Sequence, residues 1–198
     1  MAKSRDELRM TVAEFLAWDD GTDTRYELID GRPVAMAPPS PSHSIIAGNA
    51  YAALRSRLPS GCLAGVEFGV SSVRRRATFF QTDVAVVCGT AADRRDRPLP
   101  TLIVEILSPS DRRLQRDRKL DDYRMIDTVQ QILFVDSTRR WVQSWRRAGD
   151  GSWNVRDFVG TSAVPTCLDG EPIPLDELYA GVELPPEGDE DGQDQPTR

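Results

Sequence analysis

Apolar positions recur along the chain with two different periods, and the change between them divides the sequence. Near the N-terminus the spacing is helical. Val12, Phe15 and Leu16 share one side of a short helix opened by Thr11, which forms a capping box with Glu14 three residues on, and the helix is expected to end near Asp19-Asp20-Gly21. Residues 25–29 (RYELI) read as a strand closed by the hairpin signal Asp30-Gly31, with residues 33–36 returning. After the rigid loop 38–41, the residues Ile45, Ile46, Ala50, Ala53 and Leu54 form the apolar stripe of a helix capped by Ser42 and running to about Leu58.

From residue 63 onward the period shortens to that of strands. Residues 63–71, 78–88, 101–107, 130–136, 140–147 and 153–159 are each predicted to be strands, and the last three form a meander. One helix interrupts them, running from 109 to about 126, with Ser108 as its cap, Pro109 at the first helical position and Asp111 near the third. Residues 164–184 carry prolines and short apolar pairs, and are predicted to pack as a closing strand and a short helix. No repeat occurs at a fixed period. The order of elements predicts an α/β (α+β) domain with a mixed β-sheet core flanked by helices.

Composition sharpens the boundaries. The 198 residues are enough for one domain with a full core. The formal charge of −6 is unevenly spread: residues 187–198 hold five acids and one arginine, a net of −4, which leaves −2 for the other residues. The expectation is a single domain over 1–186 and an acidic disordered tail over 187–198. Cys62, Cys88 and Cys167 are odd in number, far apart and in no CxxC pair, so neither a disulfide framework nor a zinc knuckle is expected. With no apolar run of membrane-spanning length and no signal-peptide core, the chain reads as reduced, soluble and cytoplasmic. Arginines cluster at 74–76, 94–97 and 112–118. They read either as phosphate contacts or as solvated loops and a solvated helix face.

Two carboxylates then stand out. Glu105 interrupts LIVEIL and Asp83 interrupts TFFQTDVAVVC, each flanked by aliphatic residues or threonine. An ionised acid on a buried strand needs a partner or a metal. Two facing oxygen donors are the minimum for Mg²⁺ or Mn²⁺, whereas pairing with arginine is the structural alternative. Lys119 favours the first reading. Only it and Lys3 are lysines among 25 basic residues, and an ammonium supplies a compact charge that a guanidinium does not. Glu27 sits on the face opposite Tyr26 and Leu28, either as a solvent residue or as the first acid of a site. His43, the only histidine, suits a structural or substrate-contact role. Tyr123, one helical turn after Lys119, suits core packing or positioning of that lysine.

These residues together resemble the Uma2 family. YELIDG, a Pro-rich loop with His at a helix start, Asp-Val on a strand, VEILSPS followed by R-D-x-K-L-x-x-Y, and a strand ending in Val-Asp occur in that family's order from Thr11 to Leu184. The family is restriction-endonuclease-like, within the PD-(D/E)xK nuclease superfamily. The resemblance implies a metal-dependent endonuclease that hydrolyses DNA phosphodiesters, uses Mg²⁺ or Mn²⁺ and assembles as a homodimer. The rival is a catalytically inactive nuclease-fold binding or regulatory module. By the resemblance, Asp83, Glu105, Glu27 and the backbone carbonyl of Ile106 form the metal site, and Lys119 is the motif lysine moved onto the following helix. Its usual place, two residues after the glutamate, holds Leu107. Thr82 stands where a proline usually precedes the motif aspartate, and residues 127–133 replace a Gly-Val-Pro-Glu-Tyr-Trp stretch. Trp141, Trp145 and Trp153 on the meander are candidates for either an interface or the core.

Overall fold

The computed structural model describes residues 9–75, 77–89, 99–108 and 113–184, and it gathers the predicted strands up to residue 159 into one mixed sheet, while the closing strand of the C-terminal segment pairs in a separate two-stranded sheet. In chain order the elements are α1 (Val12–Leu16), β1 (Tyr26–Ile29), β2 (Arg32–Ala35), α2 (Pro41–Ser56), β3 (Cys62–Ser71), β4 (Phe79–Cys88), β5 (Leu102–Leu107) and α3 (Arg113–Tyr123). They continue with β6 (Gln131–Asp136), β7 (Trp141–Arg147), β8 (Trp153–Val159), β9 (Ala163–Val164), β10 (Ile173–Pro174) and α4 (Leu175–Leu178). The main sheet runs β2-β1-β4-β5-β6-β7-β8, with β3 along the other edge of β4. Among the described residues only β5 and β6 pair in parallel, and α3 lies in the crossover between them. Asp30 and Gly31 at the first hairpin both take positive φ, 48° and 81°, as a two-residue turn between twisted strands requires.

The sheet is covered on both faces, which explains why LIVEIL reads as an unbroken apolar run. Leu102, Val104 and Ile106 of β5 join a core built with α2 and α4, while Ile103 joins a second core built with Leu120 and Tyr123 of α3. The alternation of a strand is thus present but hidden, because both faces need hydrophobes. Glu105 shares its face with Ile103, and so it points into the α3 side.

Several expectations change. The cap of α2 is Ser40, whose side chain accepts a hydrogen bond from the His43 N–H at 3.2 Å, and not Ser42. Pro41 takes the first helical position, where its missing N–H costs nothing. The first helix stops at Leu16, and α3 at Tyr123. Cys62 and Cys88 are joined as a disulfide, contrary to the expectation from their spacing. They are remote in sequence but directly opposite in the β3–β4 register, which spacing alone does not reveal. The tail over 187–198, the arginines at 76, 94, 95, 97 and 112, and the predicted helix start at Pro109 and Asp111 lie outside the described residues. Among the described residues no helix is long and apolar enough to cross a membrane.

Trp141, Trp145 and Trp153 pack against the α3-side core, and each lies near a guanidinium: Arg139 at 5.3 Å, Arg124 at 5.4 Å and Arg147 at 4.6 Å from the ring centres. Arg147 also donates to the carbonyls of Val129, Arg124 and Ile126, and so fixes the loop that leaves α3.

The C-terminal segment is tied to the sheet by one buried amide. Gln131 is fully enclosed and satisfied: its Nε2 donates to Ser144 Oγ at 2.8 Å and to the Pro165 carbonyl at 2.9 Å, and its Oε1 accepts from the Cys167 N–H at 2.7 Å. Replacing it with alanine strands three partners in a dry interior. Gln131→Ala is expected to lower unfolding stability by about 2–4 kcal/mol, seen in urea as a lower midpoint with an unchanged slope.

Candidate active site

The candidate residues converge where the hydrogen-bond ladder of β4 is interrupted. β3 follows one edge of β4 along its length. On the other edge β4 meets β1 at its start, with Leu28 opposite Phe79, and meets β5 further on, with Val84 opposite Val104. Between these two pairings a fork opens, and backbone donors facing it must find other acceptors. Side-chain carboxylates supply them. Glu27 Oε1 accepts from the Gln81 N–H at 3.1 Å, and Asp83 Oδ2 accepts from the Ile106 N–H at 2.7 Å. The β3 ladder is broken at the same level. The pairs Val66–Val84 and Phe68–Thr82 are formed, but between them Glu67 adopts φ 53° and leaves Asp83 without a ladder partner there. Left-handed backbone in a non-glycine residue costs roughly 1 kcal/mol or more, so the surrounding structure holds it in place.

Extending the β4–β5 register by one step past Val84–Val104 puts Asp83 opposite Glu105 on the face of α3. Glu105 is 6% exposed. Lys119 and Tyr123, four apart on α3, both reach it: Lys119 Nζ is 3.0 Å from Oε2, and the Tyr123 hydroxyl donates to Oε1 at 2.6 Å. Lys119 Nζ is also 3.0 Å from Glu27 Oε1, so the ammonium joins β1 to β5. From the other side of the sheet, His43 Nε2 lies 3.3 Å from Asp83 Oδ1. The start of α2 is therefore anchored at the fork.

Glu27, Asp83, Glu105, Lys119 and His43 line a cleft of about 660 Å³, together with Arg25, Arg116 and Arg118. Each of these arginines has an acidic neighbour, Glu67, Asp117 and Asp30 respectively. Exposed pairs of this kind contribute only about 0–1 kcal/mol, so an incoming phosphate competes with them readily.

The structure brings Glu27, Asp83, Glu105 and Lys119 together, along with three contacts that were not read from the sequence. The N–H of Ile106 donates to Asp83. Tyr123 is buried in the α3-side core, one of its two sequence readings, and its hydroxyl donates to Glu105. His43 contacts Asp83, a link with no signal in the sequence beyond its place in a helix first turn. Asp83 and Glu105 are not held by arginine among the described contacts, and the structural alternative is replaced by pairing with lysine, tyrosine, histidine and backbone.

The electrostatics follow from this crowding. Burial raises the Glu105 pKa to about 7, Lys119 opposes the rise, and Asp83 adds to it. Burial works against the charge of Lys119, but Glu105 and Glu27 outweigh it and hold the ammonium above its ordinary pKa. Burial and the neighbouring Glu105 push the Tyr123 hydroxyl well above its usual range, so it serves as a hydrogen-bond donor.

Between the ordinary glutamate value of 4.5 and about 7, the folded protein binds more protons at Glu105 than the unfolded chain does. The stability this carboxyl contributes is therefore full below about pH 4.5 and is lost as pH rises through about 7. Glu105→Gln has no such proton to lose. Its stability relative to the parent protein is expected to improve by on the order of 1–3 kcal/mol between pH 5 and pH 8, measured by urea unfolding.

Residues 12–186 match the Uma2 family, described as "Putative restriction endonuclease". The chain is 27% identical over 184 residues to the uncharacterized protein slr1290 of Synechocystis sp., covering 88% of this chain and 93% of that one. A second uncharacterized Synechocystis protein, sll1609, is 25% identical over 162 residues, covering 78% and 90%. The crystal structure of a putative nuclease belonging to DUF820 from Anabaena variabilis superposes with a TM-score of 0.71 at 17% identity, covering 86% of this chain and 97% of that one. That likeness shows a shared α+β fold built on a mostly antiparallel sheet. The chain belongs to the Uma2 family.

Proposed function

We propose that the protein is a metal-dependent endonuclease that hydrolyses DNA phosphodiesters in the cytoplasm. One observation carries the reading: a lysine ammonium bridges two carboxylates beside a third, in an open cleft bordered by arginines. The donor set suits a hard divalent cation, since Asp83, Glu105 and Glu27 offer only oxygen. Among the described residues no three His, Cys, Asp or Glu side chains already stand as a metal-binding group, in keeping with Glu27 being drawn onto Lys119.

Asp83 and Glu105, with the carbonyl of Ile106, would hold Mg²⁺ or Mn²⁺. Such an ion polarises a phosphate oxygen and lowers the pKa of a bound water. Lys119 orients the attacking water and stabilises charge developing on the phosphate. Glu27 fixes the ammonium, and Tyr123 fixes the Glu105 carboxylate from below. Arg25, Arg116 and Arg118 exchange their acidic neighbours for backbone phosphates, positioning the strand without reading its bases.

A second reading is a nuclease-fold binding or regulatory module without catalysis. It is favoured by one feature: both Glu105 oxygens already accept hydrogen bonds, from Lys119 and Tyr123. A calorimetric Mg²⁺ titration separates the two, because no heat of binding at millimolar concentration supports the inactive module.

With Mg²⁺ or Mn²⁺ and supercoiled, linear and single-stranded DNA, the wild-type chain is expected to cut. Asp83→Ala and Lys119→Ala should each reduce the rate by about 100-fold or more, and EDTA should abolish it. Cleavage that survives both substitutions would sink the assignment. The reading includes assembly as a homodimer, for which light scattering should give twice the mass of one chain.

A further inference from the structure

The ammonium of Lys119 occupies the space between two carboxylates that come from different parts of the sheet. Its Nζ is 3.0 Å from Glu27 Oε1 and 3.0 Å from Glu105 Oε2, and it lies 6.0 Å from the centre of the Phe80 ring. Glu27 is further committed through the Gln81 N–H. This is the arrangement expected of a cation site whose cation is part of the protein. Bridging carboxylates are what a pair of divalent ions would otherwise share, at a spacing of roughly 3.5–4 Å.

We propose that Lys119 fills with its own charge the place of a second metal ion, so that the site takes one divalent cation and rejects another. The inference deepens the reading of the cleft as a divalent-cation centre and rests on it. Charge matching supports it. With all three ionised, as metal binding requires, the carboxylates Glu27, Asp83 and Glu105 carry three negative charges, and the ammonium cancels one of them. A single divalent ion completes neutrality. A second would sit beside an ammonium among mostly buried side chains, where like charges repel strongly. The side chains concerned are 18%, 15% and 7% exposed for Lys119, Glu27 and Glu105, so water screens them little.

Both lysine and arginine carry the charge this task needs, but lysine matches the dimensions of a small ion more closely. The ammonium is a point charge of about the dimensions of a small ion, with three donors that radiate from one atom, whereas a guanidinium is planar and forked. In a chain with 25 basic residues and only two lysines, one of the two stands here. Glu27 is held by Lys119 and the Gln81 N–H, so a single ion would be taken by Asp83 and Glu105 in exchange for part of their present hydrogen bonds.

The test counts ions directly. Mn²⁺ is titrated into the full-length protein, and free Mn²⁺ is followed by its electron paramagnetic resonance signal. The wild-type chain should bind one Mn²⁺, and Lys119→Met should bind two, or bind a second at least tenfold more tightly than the parent does. Lys119→Arg, which keeps a positive charge, should stay at one, and it provides the readout if the methionine variant does not fold. Two ions in the wild-type chain would overturn the inference. So would an unchanged count and affinity in Lys119→Met, or two ions in Lys119→Arg. DNA cleavage is scored separately. One ion in the parent and two in Lys119→Met without any cleavage defeats the nuclease reading and keeps this one, whereas two ions in a parent that cuts DNA does the reverse. No ion bound at all defeats both.

Discussion

The contact between Lys119 and the two glutamates is the constraint on which the rest of the arrangement depends. It joins three segments, β1, β5 and α3, that share no backbone hydrogen bond at that point. Removing one member of a buried charged group leaves the others uncompensated, which costs about 3–5 kcal/mol. The helix therefore cannot slide or rotate on the sheet without exposing that penalty. Tyr123 reinforces the register one turn later, through its hydroxyl on Glu105 and its ring edge-on to Phe80 at 5.7 Å.

The acids stand on strands because the sheet is defective where they stand. At the fork of β4, donors that a continuous ladder would satisfy face a gap instead, and a buried unpaired donor costs about 1–3 kcal/mol. Glu27 and Asp83 meet that demand with side-chain oxygens. The same interruption keeps a neighbouring strand from closing over the carboxylates and leaves the cleft open. Structural repair and chemical exposure are thus produced by one break in pairing.

Much of this was legible in the sequence. The six later strands were recoverable to about a residue because turn residues bound each of them, and β5 and β4 announced their acids by the contrast with aliphatic neighbours. The Asp30-Gly31 turn set the first hairpin for the same local reason. What escaped was whatever depends on register between distant segments. Cys62 faces Cys88 only because of the register in which β3 and β4 pair, and no spacing rule reports that. His43 meets Asp83 only because α2 starts at Ser40-Pro41 and directs its first turn at the fork. The destination of the Tyr123 hydroxyl escaped as well, since helical spacing relates it to Lys119 but says nothing of a strand carboxylate.

The division of the ammonium's partners also bears on how the chain assembles. Glu105 and Lys119 belong to one crossover unit, β5–α3–β6, whose contacts are local in sequence. Glu27 arrives from the first hairpin, which pairs with β4 only at Leu28–Phe79. Long-range docking of that kind loses chain entropy before its contacts compensate, and is slow for that reason. The third carboxylate is thus the one whose arrival closes the longest loop, and without it the lysine has one acid and an unfinished cleft. Capture of Glu27 then serves as a proofreading step on the topology: only the correct order of strands brings it within reach.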